Sequence, residues 1–155
     1  GEFVPKTNSW ISLSLMNTKM HLHHASIPLP TDQRYALNMF FTDYFPGTDK
    51  WKVALAMSYA DGLPFSTPHN ELGRNSFRAP AYKRVDLGMS YRLLDNTKQE
   101  SKLIKNIWLG MECLNLFGIS NVNSYYWITD VTNVQYAVPN YLTGRMLNAR
   151  LTVDF

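Results

Sequence analysis

Apolar and polar side chains alternate along this sequence with a period of two. Trp51, Val53, Leu55, Met57 and Tyr59 alternate with Lys52, Ala54, Ala56 and Ser58. Successive side chains of a strand point to opposite faces, so the pattern predicts a strand with one apolar and one polar face. Residues 9–19 set Ile11, Leu13 and Leu15 against Ser12, Ser14 and Met16, with Trp10 near the start. Residues 34–44 set Tyr35, Leu37, Met39 and Phe41 against Arg34, Asn38 and Thr42. Residues 83–93 set Val85, Leu87, Met89, Tyr91 and Leu93 against Arg84, Asp86, Gly88, Ser90 and Arg92. Residues 106–117 set Ile107, Leu109, Met111 and Cys113 against Trp108, Gly110, Glu112 and Leu114. Residues 143–155 set Leu147, Ala149, Leu151, Val153 and Phe155 against Met146, Asn148, Arg150, Thr152 and Asp154. A soluble sheet packed on a core also alternates. Two features point elsewhere: the last strand runs to a terminal aromatic, and the six segments have about the length a tilted strand needs to cross a bilayer.

The connections carry their own pattern. Residues 45–50 and 95–103 are short, and Pro46-Gly47 marks the first as a tight turn. Residues 20–33, 61–80 and 118–142 are long; the first has no period, and the last holds a short hairpin over 125–131 and 134–138. Short and long connections alternate, as in outer-membrane barrels with periplasmic turns and extracellular loops. Traced back from Phe155, the short turns are periplasmic and the long loops extracellular. Trp10, Tyr44, Trp51, Tyr91, Trp108 and Phe155 then gather at the periplasmic strand ends, and Tyr35, Tyr59 and Tyr82 at the extracellular ends. That resembles two aromatic girdles.

Composition narrows the function classes. Charged residues make up 17% of the 155 residues, below the soluble average of about 25%, and aromatics make up 14%. No run of 18 apolar residues exists, so a transmembrane helix is excluded while strand spans are not. The net charge of +3 is spread without a Lys/Arg run, which argues against nucleic acid. The single cysteine, Cys113, has no partner for a disulfide or a zinc site; it is expected to face lipid and be inert. The opening GEFVPKT has no basic or apolar region of a signal peptide, so the chain is expected to begin inside a larger protein or to be trimmed.

The passages FRAPAYKRVDLGMSYRL, WLGMECLNLFGISN and YAVPNYLTGRMLNARLTVDF resemble the C-terminal end of a TonB-dependent outer-membrane receptor. Asn115, Leu116, Phe117 and Gly118 are similar to an NLF-D signature late in that barrel, with glycine where the family usually has aspartate. The resemblance spans residues 1–155 and implies an all-β fold, an antiparallel transmembrane β-barrel segment. It would supply about six C-terminal strands of a 22-stranded barrel, without the plug domain and earlier strands. It implies active uptake of a scarce nutrient (an iron chelate, haem, a vitamin, a glycan or a peptide) across the bacterial outer membrane. The implied partners are the remainder of the barrel and plug, the TonB complex through an N-terminal part outside this sequence, membrane lipid and the barrel assembly machinery. An extracellular lipoprotein is a further candidate partner. The final Leu151, Val153 and Phe155 resemble the assembly signal of such barrels. A porin-like channel and a soluble β-sandwich or lipocalin-like binding module are the rival readings.

Candidate binding residues lie in the long loops. His21, His23 and His24 fall in the first, with imidazoles suited to metal or haem. Phe65, His69 and Arg74 fall in the second, and Tyr125, Tyr126, Trp127 and Tyr141 in the last. Aromatics mixed with amides suit sugars, peptides or chelates. Arg84, Asp86, Arg92, Glu112, Arg150 and Asp154 share the polar faces and predict a structural ladder of lumen salt bridges, with Glu112 level with Arg150. No nucleophile stands in a recognisable motif beside a base, and no histidine lies in the six main strands, so no enzyme, cofactor or resident metal is expected.

Overall fold

A computed structural model describes residues 8–22, 25–68, 74–96 and 103–155. The described residues form strands and no helix. In chain order the strands are β1 (Asn8–Leu15), β2 (Lys19–Leu22), β3 (Ala25–Pro28), β4 (Tyr35–Tyr44), β5 (Trp51–Ala60) and β6 (Pro64–Phe65). They continue as β7 (Phe77–Arg78), β8 (Tyr82–Asp95), β9 (Asn106–Leu114), β10 (Val122–Thr129), β11 (Gln135–Tyr141) and β12 (Met146–Asp154). The six segments read from the sequence are β1, β4, β5, β8, β9 and β12. They form one antiparallel sheet in that order, each pairing with its neighbour along the chain. The remaining strands make three two-stranded hairpins in the three long connections.

Register carries the alternation across the sheet, with a bulge in β8 between Arg92 and Leu94 and with Asp43 opposite Val53 at one end of the apolar side. One row runs Phe41, Leu55, Leu87, Cys113 and Leu147; another runs Val53, Met89, Met111 and Ala149. The opposite face carries Thr42, Ala54, Gly88, Glu112 and Asn148, and Lys52, Ser90, Gly110 and Arg150. A slip of one residue would exchange the faces, so the pattern itself fixes the pairing.

Nothing in the described chain covers the apolar face. Ile27 and Ala60 are the buried hydrophobic residues among the described ones, and neither lies on that face. Leu13 is 64% exposed, Met111 61% and Leu151 63%. The accessible surface is 11185 Å² for a chain of 17.9 kDa. A compact soluble protein of that mass exposes about 8,000 Å². The sheet is a single layer with no core of its own.

The structure corrects several expectations. The first long connection folds back as the β2–β3 hairpin, and the first strand stops at Leu15. The second long connection also pairs briefly, as β6 with β7. Trp10, Tyr44, Tyr82 and Trp108 lie on the polar parity. The aromatic rows of the apolar face therefore reduce to Trp51 against Tyr91 at one end, with centroids 4.6 Å apart, and Tyr35 against Tyr59 at the other, 5.7 Å apart.

The Asn115–Gly118 motif ends β9. Asn115 is buried with a φ of +51, in the left-handed region that asparagine tolerates. Its side chain accepts from the Ile119 N–H at 3.0 Å and donates to the Ile119 carbonyl at 2.9 Å. Its own N–H donates to Asp86 at 2.7 Å. Asn115→Ala is expected to cost about 3 kcal/mol in a denaturant titration, from two lost side-chain bonds and a left-handed alanine. Asn115→Gly, which keeps the conformation, is expected to cost about 2 kcal/mol.

Candidate functional site

The three hairpins stand at one end of the sheet, and two structures join them there. The first is a charged clamp. Asp32 and Asp61 follow the turn of the first long connection and the end of β5, and their side chains are only 1% and 7% exposed. Arg78, at the end of β7, reaches both. Its Nη1 donates to the Asp32 carbonyl at 2.8 Å, to Asp61 Oδ2 at 2.9 Å and to the Gly62 carbonyl at 3.0 Å, and its Nη2 donates to Asp32 Oδ2. Arg34 holds the other side of Asp61 at 2.5 and 3.1 Å. Two carboxylates and two guanidiniums balance in charge, and each buried carboxylate is paired, as burial demands. Gly62 makes the approach feasible: a Cβ there would lie 1.6 Å from the Ala79 carbonyl oxygen.

The clamp depends on ionised carboxylates. The Thr18 N–H, 2.7 Å from Asp32 Oδ1, is the main influence holding that carboxyl below its ordinary value of 3.8; burial opposes it and Arg78 assists. Hydrogen bonding from Arg34 is the main cause of the lowered value of Asp61, again against burial. A lowered native value stabilises the fold fully above the unfolded value, and this is lost as pH falls through the native one. Loop protection measured by hydrogen exchange is therefore expected to be flat from neutral pH down to about 5, and to collapse below 3.8.

The second structure is an aromatic cleft. Phe65 of β6 stacks on Tyr125 of β10 with centroids 4.5 Å apart; Phe77 lies 5.8 Å and Trp127 6.5 Å from it. Phe65, Tyr125 and Trp127 line a cleft of about 310 Å³ together with Pro30, Leu63, Pro64 and Ala79. Ser66 and Asn123 also line it; the Ser66 hydroxyl accepts from the Asn75 N–H at 2.9 Å and donates to Asn75 Oδ1 at 3.1 Å, while the Ser124 hydroxyl accepts from the Asn140 amide on the other side of the hairpin at 3.3 Å. Tyr125 and Trp127 reach it together because they are two apart on β10 and so share a face. Asp130 shapes the tip of that hairpin, accepting from the N–H groups of Thr132 and Val134 at 2.8 and 2.9 Å.

The predicted binding residues therefore divide. Phe65, Tyr125 and Trp127 converge. Tyr126 has the opposite parity, opposite Val138, and Tyr141 pairs with Val122 at the hairpin's base; both are exposed and neither lines the cleft. Arg74 is exposed in the turn before β7. His21 is exposed in β2 opposite Ser26, while His23, His24 and His69 lie outside the described residues. No group of three or more metal-ligating side chains occurs among the described residues.

The polar-face charges pair less regularly than a ladder. Arg84 binds Asp86 within its own strand at 2.7 and 2.9 Å. Arg92 turns to Asp49 in the short turn and to Asp95 at 3.1 Å, with its guanidinium 5.4 Å from the Trp108 ring centroid. Arg150 reaches Glu112 across strands at 3.7 Å, although Glu112 is in register with Asn148. Asp154 stands opposite Asn106 at the end of β12. Among the residues sequence reasoning passed over, Asp32 and Asp61 matter most. The available signal was weak: an acidic residue just before one strand and another just after the next, close to Arg34 and Arg78.

A scan of protein-family models and searches of curated proteins and of solved structures return no match to this chain.

Proposed function

We propose that this chain is a segment of an outer-membrane β-barrel receptor that takes up a scarce nutrient by TonB-driven transport. The observation that carries the reading is the single-layer sheet with a continuous, exposed apolar face and an opposite polar face. A soluble sandwich or lipocalin-like module would cover its apolar side chains with a second layer. Lipid covers them instead in a barrel, and the polar face lines the lumen. The Trp51–Tyr91 and Tyr35–Tyr59 rows suit the two membrane interfaces. In this orientation the clamp and the aromatic cleft face outward, where a receptor meets its ligand. The remainder of the barrel, with its plug, would close the sheet along the outer edges of β1 and β12, where no described strand pairs.

Cell fractionation of the full polypeptide tests this. The expected product is in the outer membrane, is extracted only by detergent and migrates differently after boiling. Ligand uptake is expected to stop when TonB is removed. Uptake that continues without TonB would mark a passive channel, and a soluble β-rich monomer in plain buffer would overturn the membrane reading altogether.

A further inference from the structure

Among the described residues, none that lines the cleft between β6 and β10 is charged. Arg78, in register with Pro64 of β6, already serves Asp32, Asp61 and the Gly62 carbonyl. A phosphate, a carboxylate-rich iron chelate or a haem propionate would find no counter-charge among the described lining residues, at a large desolvation cost. The lining is instead aromatic, with Phe65, Tyr125 and Trp127, and carries the neutral hydrogen-bonding side chains of Asn123 and Ser66. The negative face of an aromatic ring attracts weakly positive C–H groups, which a pyranose presents on one of its faces while directing hydroxyls outward. Hydroxyl and amide side chains can both donate and accept, as a sugar hydroxyl does. At about 310 Å³ the cleft lies at the lower end of the range for ligand pockets, a size for a ring or two and not for a macrocycle.

From these features we infer that the cleft binds a pyranose unit of a neutral carbohydrate, stacked on the Trp127 and Tyr125 side and hydrogen-bonded at Asn123 and Ser66. This rests on the proposed receptor function, in which the hairpin end of the sheet faces the ligand source. The clamp fixes the β6 wall, because Arg78 at the end of β7 is in register with Pro64.

The test uses the full detergent-solubilised polypeptide and a panel of soluble neutral oligosaccharides: glucans, mannans, galactans and xylans. Calorimetric titration is expected to find a binder within the panel. Trp127→Ala and Phe65→Ala are each expected to weaken it about tenfold or more. Trp127→Phe, which keeps a stacking ring and the fold, is expected to restore most of the affinity. Tyr126→Ala, on the other side of the hairpin, is expected to leave it unchanged. Boiling-dependent migration of each variant reports whether the barrel has formed. If no oligosaccharide binds, if a charged chelate or a flat heteroaromatic compound binds instead, or if affinity ignores Trp127, the inference is overturned. Fractionation separates this from failure of the receptor reading: outer-membrane location with TonB-dependent uptake and no saccharide binding sinks the cleft assignment alone.

Discussion

Leu55→Arg is expected to destabilise the fold by about 2–4 kcal/mol if the sheet spans a membrane as proposed, while Asn38→Arg, one strand away, costs less than about 1 kcal/mol. Leu55 stands at the middle of β5, between Phe41 and Leu87 on the apolar face. If that face meets hydrocarbon, a guanidinium at mid-strand must be drawn to the interface or carry water with it. Asn38 stands on the other face, between Ser12 and Ser58. There an added guanidinium stays in water if the face lines a lumen. Denaturant titration of the reconstituted polypeptide, read by the heat-modifiable gel shift, measures both. The asymmetry between the two faces is the diagnostic. Equal and large penalties would place protein against both faces, and equal and small ones would place water against both; either result defeats the membrane reading.

Arg78→Ala is expected to release the outer loops while leaving the sheet intact. Without the guanidinium, Asp32 loses its charge partner while remaining enclosed, and Asp61 keeps only Arg34. Removing one member of a buried ion pair is far more damaging than never having had the pair. Hydrogen exchange at the Thr18 and Asp32 amides is expected to accelerate roughly a hundredfold, with amides in the middle of β5 and β8 unchanged. Arg78→Lys should rescue little, because a compact ammonium cannot reach acceptors on two carboxylates and two carbonyls in one plane. Unchanged exchange at Thr18 in the alanine variant would mean that the clamp is not what holds the loops.

The sheet was legible because its signal is local. Val53, Leu55 and Met57 declare a face by alternation alone, and the short turns fix which strand pairs with which. The loops were legible only in part. The Phe65, Tyr125 and Trp127 meeting could be guessed from residue type but not from position, since Phe65 and Tyr125 are sixty residues apart in sequence. Spacing did separate Trp127 from Tyr126, once β10 was known to be a strand. The β2–β3 hairpin escaped notice because Lys19–Leu22 is exposed throughout and carries no buried face to write a period into the sequence. The clamp escaped for a different reason. An aspartate beside a strand end is usually a solvated turn residue, and only the fold shows that Asp32 and Asp61 are enclosed and share Arg78. Likewise Trp10, Tyr44 and Trp108 sit close to strand ends as a girdle would, but parity assigns them to the polar face.

The chain-neighbour pairing of the sheet bears on how it is made. Each of the five pairings joins consecutive sheet strands, so no strand must wait for a distant segment to be synthesised. Growth can proceed hairpin by hairpin, each new strand adding to an edge already formed. The entropy of closing a loop rises only with the logarithm of its length, so the long connections slow this sequence of additions little more than the short turns do. Lengthening or exchanging a long connection should therefore change the rate at which the strands assemble only slightly.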